Sequence, residues 1–418
     1  MPDFPDLSGW LRYIEGIHPK TVEMGLDRVR AVKEKMGLSP SFPVIAVAGT
    51  NGKGSTCAML ESLLHHAGYR TGCYTSPHLL RFSERIRLDR REAQDVEICS
   101  ALARVEQARG ETSLTYFEYT TLAAVQLFID QRVDIAILEV GLGGRLDAVN
   151  AFDADCAVIT GIDFDHMDYL GNTLGEISAE KAGIFRNGHC AVSATDLVLD
   201  PAREAGARLF LAGRDFSWEN LGTSWNYHGM KRKLDVLSIP SLEGSVQLSN
   251  ASVALAALDC LGIFPDEKTA SAAFLDLELR GRFQKFGDVT LDVAHNPQAA
   301  RNLAANLKQN PGSGKTVAIF SMLADKDIEG VIRAVSGEID EWVIYPLDVP
   351  RGADLPRLER AFSEQGFGNP VKAASMREAW NFACALAAGN DRILVFGSFH
   401  TVADFMDLNP NGGARGHG

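Results

Sequence analysis

The eight residues Gly49-Thr50-Asn51-Gly52-Lys53-Gly54-Ser55-Thr56 constrain this chain more than any other stretch. They follow an apolar run, Pro43 to Ala48, and lead into Met59, Leu60, Leu63, Leu64 and Ala67, which recur at helical spacing before Gly68 closes the last turn. The order is therefore strand, glycine loop, helix. Three glycines let the backbone turn tightly and bring N–H groups up to phosphate oxygens, while Lys53 supplies a point charge and Ser55 or Thr56 a hydroxyl for Mg²⁺. Asn-Gly is also a hairpin signal, but a hairpin needs a second strand and here a helix follows. The usual spacing is broken twice: Val47 stands where the first glycine belongs, and Gly54 separates Lys53 from Ser55. A variant phosphate loop is expected.

At 418 residues the chain exceeds the size at which a single core keeps growing, so two domains are expected. A formal net charge of -13 leaves no basic excess for binding nucleic acid or an anionic membrane in bulk, so neither is an expected partner and any anion must be met locally. The seven cysteines are scattered, odd in number and free of any Cys-x-x-Cys pair, which reads as reduced thiols in a cytoplasmic protein. Met1 to Trp10 holds two Asp and two Pro and no apolar block, and no apolar run reaches ~18 residues, so neither a signal peptide nor a membrane span is expected.

Residues 1–42 read as a helical preface interrupted at His18-Pro19. Strands are expected at 43–48, 71–75, 133–140 and 154–162, each followed by a helix, which is the pattern of a parallel sheet whose site lies at the strands' C-terminal edge. In the helix 93–109 the inward residues are expected to be Val96, Leu102, Ala103 and Val105. Glu139, at the end of the third strand, is placed to be the acidic partner of a metal, or else a cap or an ion-pair member. The flexible run Gly141 to Asp147 and the cluster Asp163-Phe164-Asp165-His166-Met167-Asp168 fall on the same edge, and three acids with a histidine suit cations and phosphates. Lys181, on a helix 173–186, reads from spacing alone as a solvated lysine. Residues 190–248 look mixed, with a small antiparallel piece, and Asn250 is expected to open a helix Ala251 to Leu261.

A boundary near 280 to 288 divides the chain into 1–285 and 286–418. The second part restarts the α/β pattern with strands at 289–294, 316–322, 341–345 and 392–396. Its first strand runs into Asp292-Val293-Ala294-His295-Asn296-Pro297, where Asn296 can cap a helix that Pro297 begins, and Asp292 and His295 stand at the strand's edge.

GTNGKGS at 49–55, TSPHLLRFSERI at 75–86, SLTYFEYTTLAA at 113–124, LEVGLGGRLDA at 138–148, DFDHMDYLG at 163–171, EKAGIFR at 180–186, GRFQ at 281–284, LDVAHNP at 291–297 and GSFHTVAD at 397–404 resemble the folylpolyglutamate synthase and dihydrofolate synthase branch of the Mur ligases. The resemblance runs from about residue 18 to 407. It implies an N-terminal P-loop ATPase domain with a mostly parallel sheet, a C-terminal Rossmann-like α/β domain, and ATP-dependent ligation of L-glutamate to dihydropteroate and to reduced folates. It implies Mg²⁺ in two sites, with Ser55, Glu139, His166 and a carbamylated Lys181 as ligands. Lys53, His166 and Lys181 become catalytic candidates, and ATP contacts carry over to Gly52, Lys53, Gly54, Ser55, Asn250, Arg282 and Asp292. Pterin-side contacts carry over to Thr21, Val22, Glu23, Ser76, Leu146, Asp147 and Ala148, and His295 and Ser398 fall on the side of the incoming glutamate. A monomer is expected. Arg280 departs from the family, which usually has Pro before this Gly-Arg. Two alternatives stay open: a synthase with the polyglutamate activity alone, and a nucleotide-gated binding protein without ligase chemistry.

Overall fold

The computed structural model describes residues 4–20, 22–244 and 246–409, so the expected contact Thr21 lies outside the described residues. The chain divides into two compact units, one of Met1–Ser241 and Leu248–Leu277, the other of Leu242–Gln247 and Glu278–Gly418.

In the first unit the strands are β1 Val44–Ala48, β2 Thr71–Tyr74, β3 Ile86–Leu88, β4 Arg91–Glu92, β5 Ile135–Glu139, β6 Cys156–Ile159, β7 Cys190–Ser193 and β8 Arg208–Leu211, arranged β4-β3-β2-β5-β1-β6-β7-β8. All five residues of β1 are buried, as a central strand covered on both faces requires, and β1 lies between β5 and β6, parallel to both. The loop after β1 thus opens between the ends of β5 and β6, where a doubly wound sheet leaves a crevice. Helix Lys53–His66 packs on β1, β2 and β5. Trp10, Val29, Leu102, Leu122 and Phe128 from the surrounding helices share one core with Ala46, Tyr74 and Leu138 of the sheet.

Three expectations need correction, and the small antiparallel piece expected within 190–248 is present. The strand at 71–75 is followed not by a helix but by β3 and β4, which pair antiparallel and close that side of the sheet. Residues 190–211 continue the parallel sheet as β7 and β8, and only β9 Ser217–Asn220, β10 Ser224–His228 and β11 Lys233–Ser238 form the antiparallel piece. Val96, placed inward by spacing, is 70% exposed, because helix Asp95–Arg109 buries Ile98, Ala101, Leu102 and Val105 instead. The helix expected to open at Asn250 starts three residues earlier, Gln247–Leu261, so Asn250 sits inside its first turn.

The second unit holds β12 Gln284–Phe286, β13 Val289–Asp292, β14 Thr316–Phe320, β15 Glu341–Ile344, β16 Val371–Lys372 and β17 Arg392–Phe396, in the order β12-β13-β17-β14-β15-β16. All pairs are parallel except β12 with β13. Phe320, Trp342, Phe362 and Phe396 contact one another edge-on or tilted at its core. Asn296 caps helix Pro297–Gln309 by accepting from the Ala299 N–H at 2.9 Å, with Pro297 at its first position. The sheets of both units agree with the expected α/β class, and β12 and β16 are the short edge strands that periodicity did not reveal.

Candidate active site

The loop after β1 owes its course to two side chains that leave no room for a Cβ. At Gly49, φ is +148° and a Cβ would lie 2.0 Å from Thr160 Oγ1; at Gly52, φ is +92° and a Cβ would lie 2.7 Å from Asn250 Oδ1. The residues that exclude a Cβ come from the end of β6 and from helix Gln247–Leu261. Thr160 Oγ1 also donates to the Asn51 carbonyl at 2.7 Å. Thr50 donates its N–H to Gly161 O at 2.7 Å, and its hydroxyl donates to Asp163 O and accepts from Asp163 N. The loop is therefore clamped on the acid-cluster side before any ligand arrives. Gly52 is the N-cap of helix Lys53–His66, so the helix enters without a side-chain cap and its first N–H groups and positive dipole end face the loop.

Two lysines converge on one carbonyl. Lys53 Nζ lies 3.2 Å from Gly49 O and from Thr50 O, and Lys181 Nζ lies 3.1 Å from the same Gly49 O. Lys181 is only 4% exposed. Burial first, and the Lys53 charge second, push its amine down to about 7, against the pull of Asp165 and Asp147. The main chain around it is locked. Arg145 N donates to Glu180 O at 2.7 Å, Glu180 takes two hydrogen bonds from the Arg145 guanidinium, and Gly144 has Lys181 O where a Cβ would stand.

Glu139 is 4% exposed and accepts from Ser76 N at 3.1 Å, which joins two predicted residues at the ends of β5 and β2. Ser55 is buried in the first turn of its helix. His166 holds a left-handed φ of +51° and its N–H is fixed by Asp165 Oδ1 at 2.8 Å. A serine hydroxyl and a carboxylate are oxygen donors that suit a hard divalent cation, and the imidazole is a softer donor beside them. Among the described residues no three His, Cys, Asp or Glu cluster tightly enough to cage one, so such an ion would complete its shell with phosphate and water, as Mg²⁺ does.

Asp147 is buried, and burial raises its carboxyl to about 7 although Leu142 and Val149 each donate an N–H to it at 2.9 Å. It is the post around which residues 141–149 turn. Leu146 is half-buried and its carbonyl accepts from Gly25 N at 3.3 Å, while Ala148 is buried, so this turn meets the segment holding Val22 and Glu23. Val22 is 38% exposed, whereas the Glu23 carboxylate is taken up by His18, Lys20 and Arg28.

In the second unit Asp292, at the end of β13, accepts from Phe283 N and Ala294 N, both at 2.8 Å, and burial raises its carboxyl to about 6 against the Arg282 charge. Arg282 lies over the Phe399 ring at 5.1 Å, and His295 packs against that ring at 6.1 Å while bonding Val293 O through Nδ1. Ser398 is the N-cap of helix Phe399–Leu408. Its hydroxyl accepts from Thr401 N at 2.9 Å and meets Thr401 Oγ1 at 2.8 Å; because that hydroxyl donates to Ser321 O, Ser398 is the donor between them.

A family model described as the Mur ligase middle domain matches residues 47–258, and one described as the Mur ligase glutamate ligase domain matches residues 281–399. The chain belongs to the Mur ligase family. This ligase is 42% identical over 410 residues to the dihydrofolate synthase/folylpolyglutamate synthase of Escherichia coli, covering 96% of this chain and 95% of that one. It superposes with a TM-score of 0.92 on E. coli FolC solved with DHPP and ADP, at 41% identity over 98% of this chain and 99% of that chain. A bifunctional folylpolyglutamate synthase/dihydrofolate synthase solved with Mn, AMPPNP and L-glutamate gives 0.89 at 40% identity, covering 96% and 98%. The ligase is thus an ATP-dependent enzyme of the dihydrofolate synthase/folylpolyglutamate synthase branch. Among the described residues no helix is long and apolar enough to cross a membrane.

Three residues that contact candidate site residues or the turn beside them escaped sequence reading. Thr160 reads as an ordinary β-branched residue ending a strand. Phe399 lies inside GSFHTVAD, but only the fold sets it beneath Arg282. Glu84, which accepts from the N–H groups of Leu79, Leu80 and Arg81 and so shapes the turn after Ser76, carried no local signal beyond its motif.

Proposed function

We propose that this ligase joins L-glutamate to dihydropteroate and to the glutamate tail of reduced folates through an acyl phosphate. Lys181 carries the reading: an amine near neutrality, beside the phosphate loop, is the form that adds CO₂ and loses a proton to become a carbamate anion. On this reading a cation becomes an anionic ligand.

The substrate carboxylate attacks the γ-phosphorus of ATP and the bond to ADP breaks, which turns a poor electrophile into an acyl phosphate. The α-amine of glutamate then adds to the acyl carbon, loses a proton, and phosphate leaves. Gly52, Lys53, Gly54 and Ser55 hold the phosphates through N–H groups and charge, Asn250 backs the loop at Gly52, and Arg282 and Asp292 are assigned to ATP by the family resemblance. Ser55, Glu139, His166 and carbamylated Lys181 would hold Mg²⁺ in two sites; when bound, the metal spreads the charge of the transferring phosphoryl. Val22, Ser76, Leu146, Asp147 and Ala148 are assigned to the pterin side, and His295 to the glutamate side. Ser398 acts there through the helix N-terminus it caps. Free thiols at all seven cysteines support a reducing, cytoplasmic setting, and we take the ligase to work as a monomer.

The test is phosphate release with ATP and glutamate, offered dihydropteroate and tetrahydrofolate in turn. Turnover with both supports the bifunctional reading, turnover with tetrahydrofolate alone replaces it with the single activity, and ATP hydrolysis indifferent to pterin and glutamate overturns it.

A further inference from the structure

Among the described residues between helices Leu7–Ile17 and Asp27–Met36, which are 18–20 and 22–26 and include Val22, none belongs to a helix or strand. Side chains hold this segment instead. Arg28 sits at their centre: its NH2 donates to the Glu23 carbonyl at 2.9 Å, its NH1 pairs with Glu23 Oε2 at 3.2 Å, and its Nε and NH2 reach the two oxygens of Glu118 at 3.3 and 3.2 Å. Glu118 is 3% exposed and belongs to a different element, where its Oε2 also accepts from Thr115 N at 2.8 Å to start helix Tyr116–Asp130. A second pin flanks the first. His18 Nε2 meets Glu23 Oε2 at 2.6 Å and its Nδ1 meets Ser113 Oγ at 2.8 Å. The carboxylate accepts only, so Nε2 carries a proton.

The planar guanidinium suits this place because it serves two carboxylates and a carbonyl from one fixed fork, which an ammonium cannot do. Both oxygens of the Glu23 carboxylate are occupied by side-chain donors: Oε1 by Lys20 at 3.3 Å, Oε2 by His18 and Arg28. Those partners also hold its carboxyl below the usual range, His18 first. We infer that Arg28, braced by buried Glu118, is a positioning residue that latches the 18–26 segment to the start of helix Tyr116–Asp130, and that Glu23 serves as the latch's strut and not as a carboxylate contact to substrate. The inference rests on the pterin-side assignment of this segment and of its neighbour Leu146.

The experiment uses the full-length enzyme and the variants Glu118→Gln, Arg28→Met, Arg28→Lys and Glu23→Gln. Glu118→Gln keeps an acceptor for Thr115 N while removing the charge. Losing a charge-assisted contact is expected to raise KM for dihydropteroate about tenfold with KM for ATP unmoved, the thermal midpoint holding in Glu118→Gln and Glu23→Gln and falling in Arg28→Met, which leaves the buried Glu118 carboxylate unpaired. Amide exchange across residues 18–26 is expected to quicken by a similar factor, and Arg28→Lys to recover only part of either effect. Unchanged exchange overturns the latch, and so does a parallel rise of both KM values with a fallen midpoint. Should the wild type ignore pterins, the functional reading fails while the exchange measurement still decides the latch by itself.

Discussion

Replacing Lys181 by Met is expected to abolish ligation and yet to stabilise the folded, ligand-free protein in a way that depends on pH. The amine is depressed from 10.5 to about 7, with burial as the first cause. At ~1.4 kcal/mol per unit the protonated native state carries a penalty of about 5 kcal/mol. The folded pKa lies below the unfolded one, so between pH 7 and 10.5 the unfolded chain binds more protons and stability rises with pH. The penalty is full below about pH 7 and absent above about 10.5. Methionine removes it but also loses the bond to Gly49 O, worth about 1 kcal/mol. The variant should therefore exceed the wild type by about 3–4 kcal/mol near pH 6 and match or fall below it near pH 10. Urea unfolding of both proteins in CO₂-free buffer measures this. A difference that ignores pH, or a variant less stable at pH 6, would refute the picture of a buried amine held near neutrality.

Gly49→Ala puts a Cβ 2.0 Å from Thr160 Oγ1 at a φ of +148°, so ATP affinity should fall by at least about tenfold in calorimetry, with partial recovery when Thr160→Ala is added. Glu139→Gln should raise the Mg²⁺ concentration for half-maximal turnover by about tenfold or more, and EDTA should silence the wild type; an unchanged metal requirement removes Glu139 from the metal site. Asp147 is raised from 3.8 to about 7, so the wild type loses stability as pH climbs across that window, and Asp147→Asn should flatten the slope of the urea midpoint between pH 5 and 7. A slope that survives the substitution would assign it to another group.

The strand, loop and helix around residues 44–66 were legible because every level agreed: an apolar run buried on both faces, glycines where Cβ atoms are excluded, and helical periodicity after them. Asp292, His295 and Asn296 were legible for a similar reason, since a cap followed by proline fixes where a strand ends and a helix begins. What stayed hidden depends on partners distant in sequence. β7 and β8 are four-residue strands whose membership in the main sheet is set by the pairing of β7 with β6 and of β8 with β7, and nothing local distinguishes them from an antiparallel edge. Val96 lay at a helical spacing, but the helix turns its Ile98 and Leu102 face inward. Lys181 could be read as a surface lysine because its surroundings are distant in sequence: Gly49 O meets its amine and Gly144 lies against its carbonyl. The resemblance assigns Glu23 to substrate, and only the fold shows that its carboxylate meets His18, Lys20 and Arg28, three to five residues away.

The central claim is that the phosphoryl group of ATP passes to a carboxylate, and an oxygen label tests it most directly. Dihydropteroate carrying ¹⁸O in its carboxylate is turned over with ATP and L-glutamate, and the released phosphate is weighed by mass spectrometry. An acyl phosphate sends one carboxylate oxygen out with phosphate, so one ¹⁸O per phosphate is predicted, with none released by Lys53→Ala. Phosphate formed at the normal rate but without label would contradict the account.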